Sequence, residues 1–239
     1  MNLNSKIAIV TGASSGIGAE FSKMLVEQGA IVYGLARSED KLDAIQQNLG
    51  QNFKPVLMDI SNAEALEKWV HSTFTNKHQP DVLINNAGVA YFAEIDRLKL
   101  SEWRAMIDVN LSGVFYLTKL MVPLMKENTS HCHIINIASI AGLLGNPSMS
   151  GYNASKYGVR GFSEALFKEL RYHDIKVTAV FPGSIATNLF SDIDSVEEHP
   201  NMMQPSEIAD TVKFLLETPD NYLINEITMR PLNPKNPEQ

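Results

Sequence analysis

A glycine-rich turn follows the first apolar run of the chain and opens a helical pattern. Lys6–Thr11 is rich in β-branched residues, and the segment Thr11–Gly18 that follows contains Gly12, Gly16 and Gly18. Apolar residues then recur at helical spacing, at Ile17, Phe21, Met24 and Leu25, and Gly29 ends the pattern. A strand that turns this tightly into a helix begins a strand–helix–strand unit. The turn therefore predicts an α/β fold built on a parallel sheet.

The alternation of strand and helix patterns continues to the end of the chain. Further strand-like runs are Ile31–Ala36, Pro55–Asp59, Asp81–Asn85, His133–Ser139, Ile175–Phe181 and Leu223–Met229. Between them we predict helices that include a long one from about Ser101 to Lys126, bent at Pro123, and one from Tyr152 to about His173. We expect Ser38 to cap the second helix, and Ser61 with Glu64 to form a capping box before the third.

Repeated units of this kind predict a doubly wound, Rossmann-type domain, with about seven mostly parallel strands and helices on both faces. No linker or change in composition divides the chain. We therefore expect one domain over residues 1–230, followed by a short tail over 231–239 that is rich in Pro and Asn.

Composition and charge exclude several classes of protein. The net charge of −7 and the lack of a basic cluster argue against nucleic-acid binding. No apolar run reaches the ~18–20 residues of a membrane span, and Met1–Lys6 shows no signal-peptide pattern. Cys132 is the only cysteine, so an internal disulfide is excluded and a reducing cytoplasm is the expected location. The six histidines are scattered, and we expect no metal site.

The glycine turn has the properties of a phosphate cradle. Glycines let a ligand approach the backbone closely, and the free N–H groups at a helix N-terminus attract phosphate. In an open parallel sheet this is where the pyrophosphate of a dinucleotide binds. The second strand ends at Ala36 and Arg37, where an acidic residue is typical of NAD binding. Because Arg37 can pair with a 2′-phosphate, we predict NADP, with NAD the less favoured cofactor.

Tyr152 and Lys156 lie four residues apart at the start of a predicted helix. That spacing places the phenol and the amine on one face, about one turn apart. A cation beside a phenol favours the phenolate, so we expect the pKa of Tyr152 to fall below its usual ~10. Such a tyrosine can give or take a proton near neutral pH.

In its motifs the chain resembles the short-chain dehydrogenase/reductase family over nearly its whole length. The matching segments are Thr11–Gly18, Asp59-Ile60, Asn85-Asn86-Ala87-Gly88, Asn110, Ser139, Tyr152 with Lys156, Pro182-Gly183, and Thr187. The glycine turn, Arg37 and this resemblance together predict cofactor contacts at Gly12, Ser14, Ser15, Gly16, Ile17, Gly18, Arg37, Asp59, Ile60, Asn86, Ala87, Gly88, Tyr152, Lys156, Pro182, Gly183, Ile185 and Thr187.

The resemblance implies hydride transfer at the nicotinamide C4, with four catalytic residues. Tyr152 would be the general acid in reduction, and Lys156 would bind the nicotinamide ribose and lower the tyrosine's pKa. Ser139 would hydrogen-bond the substrate carbonyl oxygen. Asn110 would hold a water that links Lys156 to solvent. Independently of the family, a carbonyl that becomes an alkoxide needs donors at its oxygen, and Tyr152 and Ser139 are two that can converge there.

Three loops at the carboxyl ends of the strands are expected to shape the substrate site. Two of them offer apolar side chains, at Val89, Tyr91, Phe92, Leu143, Leu144 and Met149. The third, with the helix after it, has no Lys or Arg between Gly183 and Lys213 but carries Asp192, Asp194, Glu197, Glu198, Glu207 and Asp210. An acidic lid repels anions and favours a neutral ketone or aldehyde.

The identity of the substrate stays open. The end of the chain, Asn225–Pro231, lacks the glycine-rich turn typical of ketoacyl-carrier reductases and looks more like the small hydroxy-acid and carbonyl reductases. A 3-ketoacyl-carrier-protein reductase and a 3-hydroxy acid dehydrogenase are the alternatives within enzymes. A non-catalytic NADP-binding sensor is a minor alternative, since Ser139, Tyr152 and Lys156 are all present.

The helices also predict self-association. The long helix is apolar on more than one face. The Tyr152 helix carries small residues at Ala154, Gly158, Gly161 and Ala165, which allow close helix approach. We expect a homodimer or a homotetramer, which is also the habit of the family that the chain resembles.

Overall fold

The computed structural model of the chain describes residues 1–187 and 199–234. In this part of the chain the strands are β1 (Ile7–Thr11), β2 (Ile31–Ala36), β3 (Phe53–Leu57), β4 (Val82–Asn85), β5 (Cys132–Ile137), β6 (Ile175–Pro182) and β7 (Glu226–Met229). The helices are α1 (Gly16–Glu27), α2 (Glu39–Leu49), α3 (Ala63–Thr73), α4 (Leu100–Ile107), α5 (Gly113–Glu127), α6 (Ser150–Leu170) and α7 (Pro205–Glu217).

The described strands form one seven-stranded sheet in the order β3-β2-β1-β4-β5-β6-β7. Every pairing between neighbouring strands is parallel. Strands β1, β4 and β5 are buried along their whole length, as expected where helices cover both faces of a parallel sheet. The predicted fold class is confirmed.

Two apolar clusters lie on opposite faces of the sheet. One packs α1 and α7 against the strands and includes Phe21, Leu25, Ile208, Val212 and Leu216. The other packs α3, α5 and α6 and includes Leu66, Val70, Leu117, Met121 and Leu166. The chain runs outward from β1 to β3 and then returns to add β4 on the other side of β1. The crevice at this reversal of strand order is where open α/β sheets bind ligands.

The helix caps differ from those predicted. Ser38 precedes α2, but its side chain forms no cap hydrogen bond. Asn62 rather than Ser61 caps α3, since Asn62 Oδ1 accepts from the N–H of Ala65 at 3.0 Å. The hydroxyl of Ser61 instead donates to Asp59 Oδ1 at 2.7 Å. The predicted capping box is therefore wrong, because the nearby Asp59 carboxylate is the stronger acceptor for Ser61.

The long predicted helix spans Leu100–Glu127, and its regular hydrogen bonding is interrupted by a π-helical turn at Asp108–Ser112. Such turns insert one extra residue and are frequent at functional sites. Asn110 lies in the turn and is buried. Pro123 stands inside α5, and the helix continues past it to Glu127. The predicted domain limits and tail stay predictions, and residues 235–239 of that tail lie outside the described part.

Candidate active site

A cleft of about 1170 Å³ opens at the carboxyl ends of the strands. All the predicted site residues line it except Gly18 and Asn110. The glycine turn lines it through Gly12 and Ser14–Ile17, and the loop after β4 through Asn86–Gly88. Ser139, Tyr152 and Lys156 also line it, as do Pro182, Gly183, Ile185 and Thr187. The topology thus brings segments that are far apart in the sequence to one edge of the sheet.

The glycine turn is shaped for a close ligand. Gly12 and Gly16 have φ angles of +68° and +53°, which favour glycine. A Cβ on Gly12 would lie 2.9 Å from the Cα of Ala87. Gly18 lies behind the turn, where a Cβ would be 2.1 Å from the O of Gly12, so it packs α1 onto the cradle. Ser15 gives α1 no side-chain cap, which leaves the first-turn N–H groups for an anionic ligand.

Hydrogen bonds join the loop after β4 to the cradle. Thr11 Oγ1 accepts from the backbone N–H groups of Asn86 and Ala87, at 2.9 and 3.0 Å. The side-chain amide of Asn86 donates to the O of Thr11 at 2.9 Å. The loop after β4 therefore keeps a fixed distance from the glycine turn.

The end of the cleft near β2 carries two cations. Arg37, which was predicted, and Lys41, which was not, both line the cleft. Asp59 also lines the cleft, close enough to Arg37 to feel its charge. Burial opposes ionisation of Asp59, but hydrogen bonds from Ser61 and the charge of Arg37 outweigh it and lower its pKa. The signal for Lys41 in the sequence was a basic residue in the first turn of the helix that follows β2.

Tyr152 and Ser139 are hydrogen-bonded through their side chains in the cleft. The Tyr152 residue is 3% exposed, and the Phe92 ring packs edge-on against its ring with centroids 5.9 Å apart. Lys156 Nζ lies 5.8 Å from the centre of the Tyr152 ring and donates to the O of Ile137 at 2.9 Å. As predicted, the phenol of Tyr152 and the amine of Lys156 lie on the same face of α6.

The predicted fall in the pKa of Tyr152 is wrong for the ligand-free protein. Burial raises the pKa of Tyr152 to about 12, and the Ser139 hydroxyl offsets only part of that rise. Burial also lowers the pKa of Lys156 to about 8. Removing both groups from water disfavours the charged form of each, and this outweighs the attraction that the four-residue spacing suggests.

Asn110 lies behind the cleft rather than in its wall. Its Oδ1 accepts from the N–H of Val89 at 2.8 Å, and its Nδ2 donates to the O of Val89 at 2.9 Å and to Ser155 Oγ at 3.0 Å. The side chain therefore holds the loop after β4 to α6. The water-binding role that the resemblance implied stays a prediction.

Only some of the loop residues that were predicted to shape the substrate site line the cleft. Val89, Tyr91 and Phe92 line the cleft. Leu143 and Met149 pack on small apolar clusters instead, and Leu144 lies on the surface. Of the acidic lid, Asp192, Asp194, Glu197 and Glu198 lie outside the described residues, while Glu207 and Asp210 lie on α7. Three unpredicted residues, Arg97, Lys99 and Glu102, also line the cleft.

Known proteins match the chain along most of its length. The family model described as short chain dehydrogenase matches residues 6–198. An uncharacterized oxidoreductase of Staphylococcus aureus (strain MRSA252) is 36% identical over 231 residues, which cover 96% of this chain and 99% of that protein. A 3-oxoacyl-(acyl-carrier-protein) reductase of Synechocystis sp. is 36% identical over 229 residues, 91% of each protein. The crystal structure of a metagenomic short-chain oxidoreductase in complex with NADP is similar with a TM-score of 0.83, at 34% identity over 98% of this chain and 100% of that one.

Proposed function

Because the chain belongs to the short-chain dehydrogenase family, we propose that it is an NADP-dependent oxidoreductase. The substrate is a small, largely apolar ketone or aldehyde, or the corresponding alcohol. The observation that carries this proposal is the hydrogen-bonded pair of Tyr152 and Ser139, with Lys156 beside it, in the same cleft as the glycine turn. Two hydroxyl groups there can converge on one carbonyl oxygen.

The residues present fit a dinucleotide with a 2′-phosphate. The glycine turn passes so close to Ala87 that side chains are excluded, which suits the backbone approach of a pyrophosphate. Arg37 and Lys41 provide two cations at the end of β2, where a 2′-phosphate would lie. Asp59 faces the same end, so the cations are partly balanced when no ligand is bound. The solved relative that contains NADP supports the same choice of cofactor.

In the reduction, Tyr152 gives its proton to the carbonyl oxygen while Ser139 donates a hydrogen bond to it. A bound nicotinamide supplies the hydride at its C4. A pKa of about 12 keeps the Tyr152 phenol protonated at neutral pH, ready to act as the acid. Alcohol oxidation needs the phenolate, so the reverse direction is favoured at higher pH.

The walls beside Tyr152 support a largely apolar substrate. Val89, Tyr91 and Phe92 line this part of the cleft. A second candidate, a 3-ketoacyl-carrier-protein reductase, is favoured by the Synechocystis relative and by Arg97 and Lys99. These two side chains line the same cleft and can attract an anionic carrier or a free carboxylate. Each also has an acidic neighbour, Glu94 or Glu102, that offsets its charge.

The tests are oxidation of NADPH in the presence of diketones, aldehydes, keto esters and a ketoacyl thioester, and reduction of NADP+ in the presence of β-hydroxy acids. We expect turnover with neutral carbonyls, and at least a tenfold preference for NADPH over NADH. The variant Tyr152→Phe should keep less than a tenth of the activity, because it removes the acid while preserving the ring. Turnover of the thioester alone would favour the second candidate, and binding of NADPH without any turnover would favour a sensor.

We also propose that two copies of the chain associate through α4, α5 and α6. The segment Leu100–Glu127 is apolar enough to span a membrane by length and composition, yet only 39% of its most apolar window is buried. The exposed side of these helices carries Trp103, Phe115 and Tyr157, and Gly161 faces open space. A second copy of the chain would cover this apolar surface. A monomer by light scattering at micromolar concentration would contradict the proposal.

A further inference from the structure

Asn153 follows Tyr152 on α6, but its side chain does not line the cleft. Its Nδ2 donates to the O of Ala141 and to the O of Leu144, both at 2.6 Å. Its Oδ1 accepts from the N–H of Asn146 at 3.2 Å. The residue is 8% exposed. One buried side chain thus holds three backbone groups of the segment between Ser139 and α6.

The partners of Asn153 require a carboxamide. The carbonyl oxygens of Ala141 and Leu144 need the Nδ2 donors, and the N–H of Asn146 needs the Oδ1 acceptor. The orientation of the side-chain amide is therefore unambiguous. An aspartate of the same shape has no hydrogen to donate to Ala141 and Leu144. An alanine leaves the buried carbonyl of Ala141 unpaired, which costs about 1–3 kcal/mol, and also removes the donor from the partly buried carbonyl of Leu144.

The held segment includes the residue that fixes the Ser139 hydroxyl. The N–H of Ala141 donates to Ser139 Oγ at 3.1 Å. The same Ser139 hydroxyl is hydrogen-bonded to the Tyr152 phenol, and this contact lowers the tyrosine's pKa. The contacts run from Asn153 through Ala141 and Ser139 to Tyr152, and so return to the residue next to Asn153.

A second contact docks the same turn onto α6. A Cβ on Gly142 would lie 2.8 Å from the O of Lys156, so the turn Ile140–Gly142 packs directly on the helix backbone. None of the residues from Ile140 to Gly151 lines the cleft. The position of this turn therefore affects the site through Ser139, and it has no direct contact with the place of the cofactor.

We propose that Asn153 is a positioning residue that fixes the Ser139 hydroxyl relative to the Tyr152 phenol. The inference rests on the proposed function, because it takes both hydroxyl groups to act on one substrate oxygen. Hydrogen-bond donors that are held in place before the reaction stabilise the transition state more than donors that must be ordered during it. Loss of Asn153 should therefore lower kcat and leave the affinity for NADPH unchanged.

Amide hydrogen exchange shows, without any substrate, how strongly Asn153 stabilises the backbone between Ser139 and α6. Asn128 is a matched control, since its side chain also makes three hydrogen bonds, to Pro80, Asp81 and Ser130, far from the cleft. In Asn153→Ala we expect amide exchange in residues 139–149 to rise at least tenfold above wild type. Asn128→Ala should leave that segment unchanged. Unchanged protection in Asn153→Ala would overturn the proposal.

Kinetics then measure the consequence for the site. We expect Asn153→Ala to lose at least tenfold in kcat while the Kd of NADPH, from its fluorescence, stays within twofold of wild type. Asn128→Ala should stay within twofold in both. In a Ser139→Ala background, Asn153→Ala should have little further effect, because residues that act as a unit are not additive. Additive losses, or equal losses in kcat and NADPH affinity, would overturn the proposal.

Misfolding of the variant and failure of the proposed function give different results. If Asn153→Ala does not fold, Asn153→Ser replaces it, since the shorter hydroxyl cannot reach both carbonyls and should give the same pattern. If the wild-type protein reduces no carbonyl with NADPH, the proposed function fails. The exchange experiment still decides whether Asn153 holds the segment that carries Ser139.

Discussion

The ammonium group of Lys156 is buried. The group donates to the O of Ile137, and within the described residues it has no carboxylate in ion-pair distance. Burial lowers its pKa to about 8 from the usual 10.5. A buried charge without a counter-charge destabilises the folded protein, and such groups are retained where function requires them.

We predict that Lys156→Met stabilises the ligand-free protein and abolishes turnover. At pH 7 the ammonium is charged in both the folded and the unfolded chain, so its removal should raise the free energy of unfolding by on the order of 2 kcal/mol. The gain should shrink as pH rises from about 8 toward 10.5, because the folded wild type loses the proton first. Urea unfolding at several pH values measures this.

The control for that prediction is Lys168→Met. Lys168 is exposed and pairs with Glu164 on the surface of α6, where an ion pair is worth little. Its replacement should change stability by less than about 0.5 kcal/mol. A loss of stability in Lys156→Met would show that the hydrogen bond to Ile137 matters more than the cost of the charge.

At the scale of elements, the start of α5 sets the position of one wall of the cleft. A Cβ on Gly113 would lie 2.9 Å from two side-chain carbons of Ile60 and 3.0 Å from its O. Ile60 lines the cleft. The π-helical turn before Gly113 brings α5 to this contact, so helix and cofactor wall are packed as one unit.

Gly113→Ala should weaken NADPH binding about tenfold by pushing Ile60 into the cleft, and it should also destabilise the protein by about 1–3 kcal/mol through overpacking. Gly145→Ala is the control, because Gly145 has nothing within 4 Å of its Cβ position and does not line the cleft. It should bind NADPH normally and change stability by less than about 0.5 kcal/mol. Unchanged NADPH affinity in Gly113→Ala would contradict this account of the wall.

Elements and motifs differ in how far the sequence predicts them. Apolar periodicity predicted β2 with its observed limits, because this strand is mostly buried and its own apolar residues mark it. It placed β3 two residues too late, at Pro55–Asp59, because that edge strand is half exposed. The glycine turn and the Tyr152–Lys156 spacing are local, so they were found. Arg97, Lys99 and the pKa of Tyr152 were not, because they depend on how distant segments fold around the cleft.

At the scale of the whole molecule, His133 joins the last three strands. Thr178 donates its hydroxyl to the O of Ile224 at 2.6 Å, so at 2.9 Å it accepts from the Nε2–H of His133. The His133 Nδ1 is buried, and no described residue bonds it. Burial, then Lys176 and the N-terminal amine, lower the pKa of His133 to about 3. The folded protein therefore holds a neutral imidazole between β5, β6 and the segment that leads into β7.

We predict that His133 makes the fold sensitive to acid. The unfolded chain takes up a proton near pH 6.5, and the folded chain only near pH 3, so stability falls as pH drops through this window. The loss approaches about 1.4 kcal/mol per pH unit for one such group. His133→Gln keeps an N–H donor but cannot be protonated, so its stability should fall less between pH 6.5 and 4.5. The exposed His71→Gln should behave like wild type, and equal acid sensitivity of wild type and His133→Gln in urea unfolding would assign the effect to other groups.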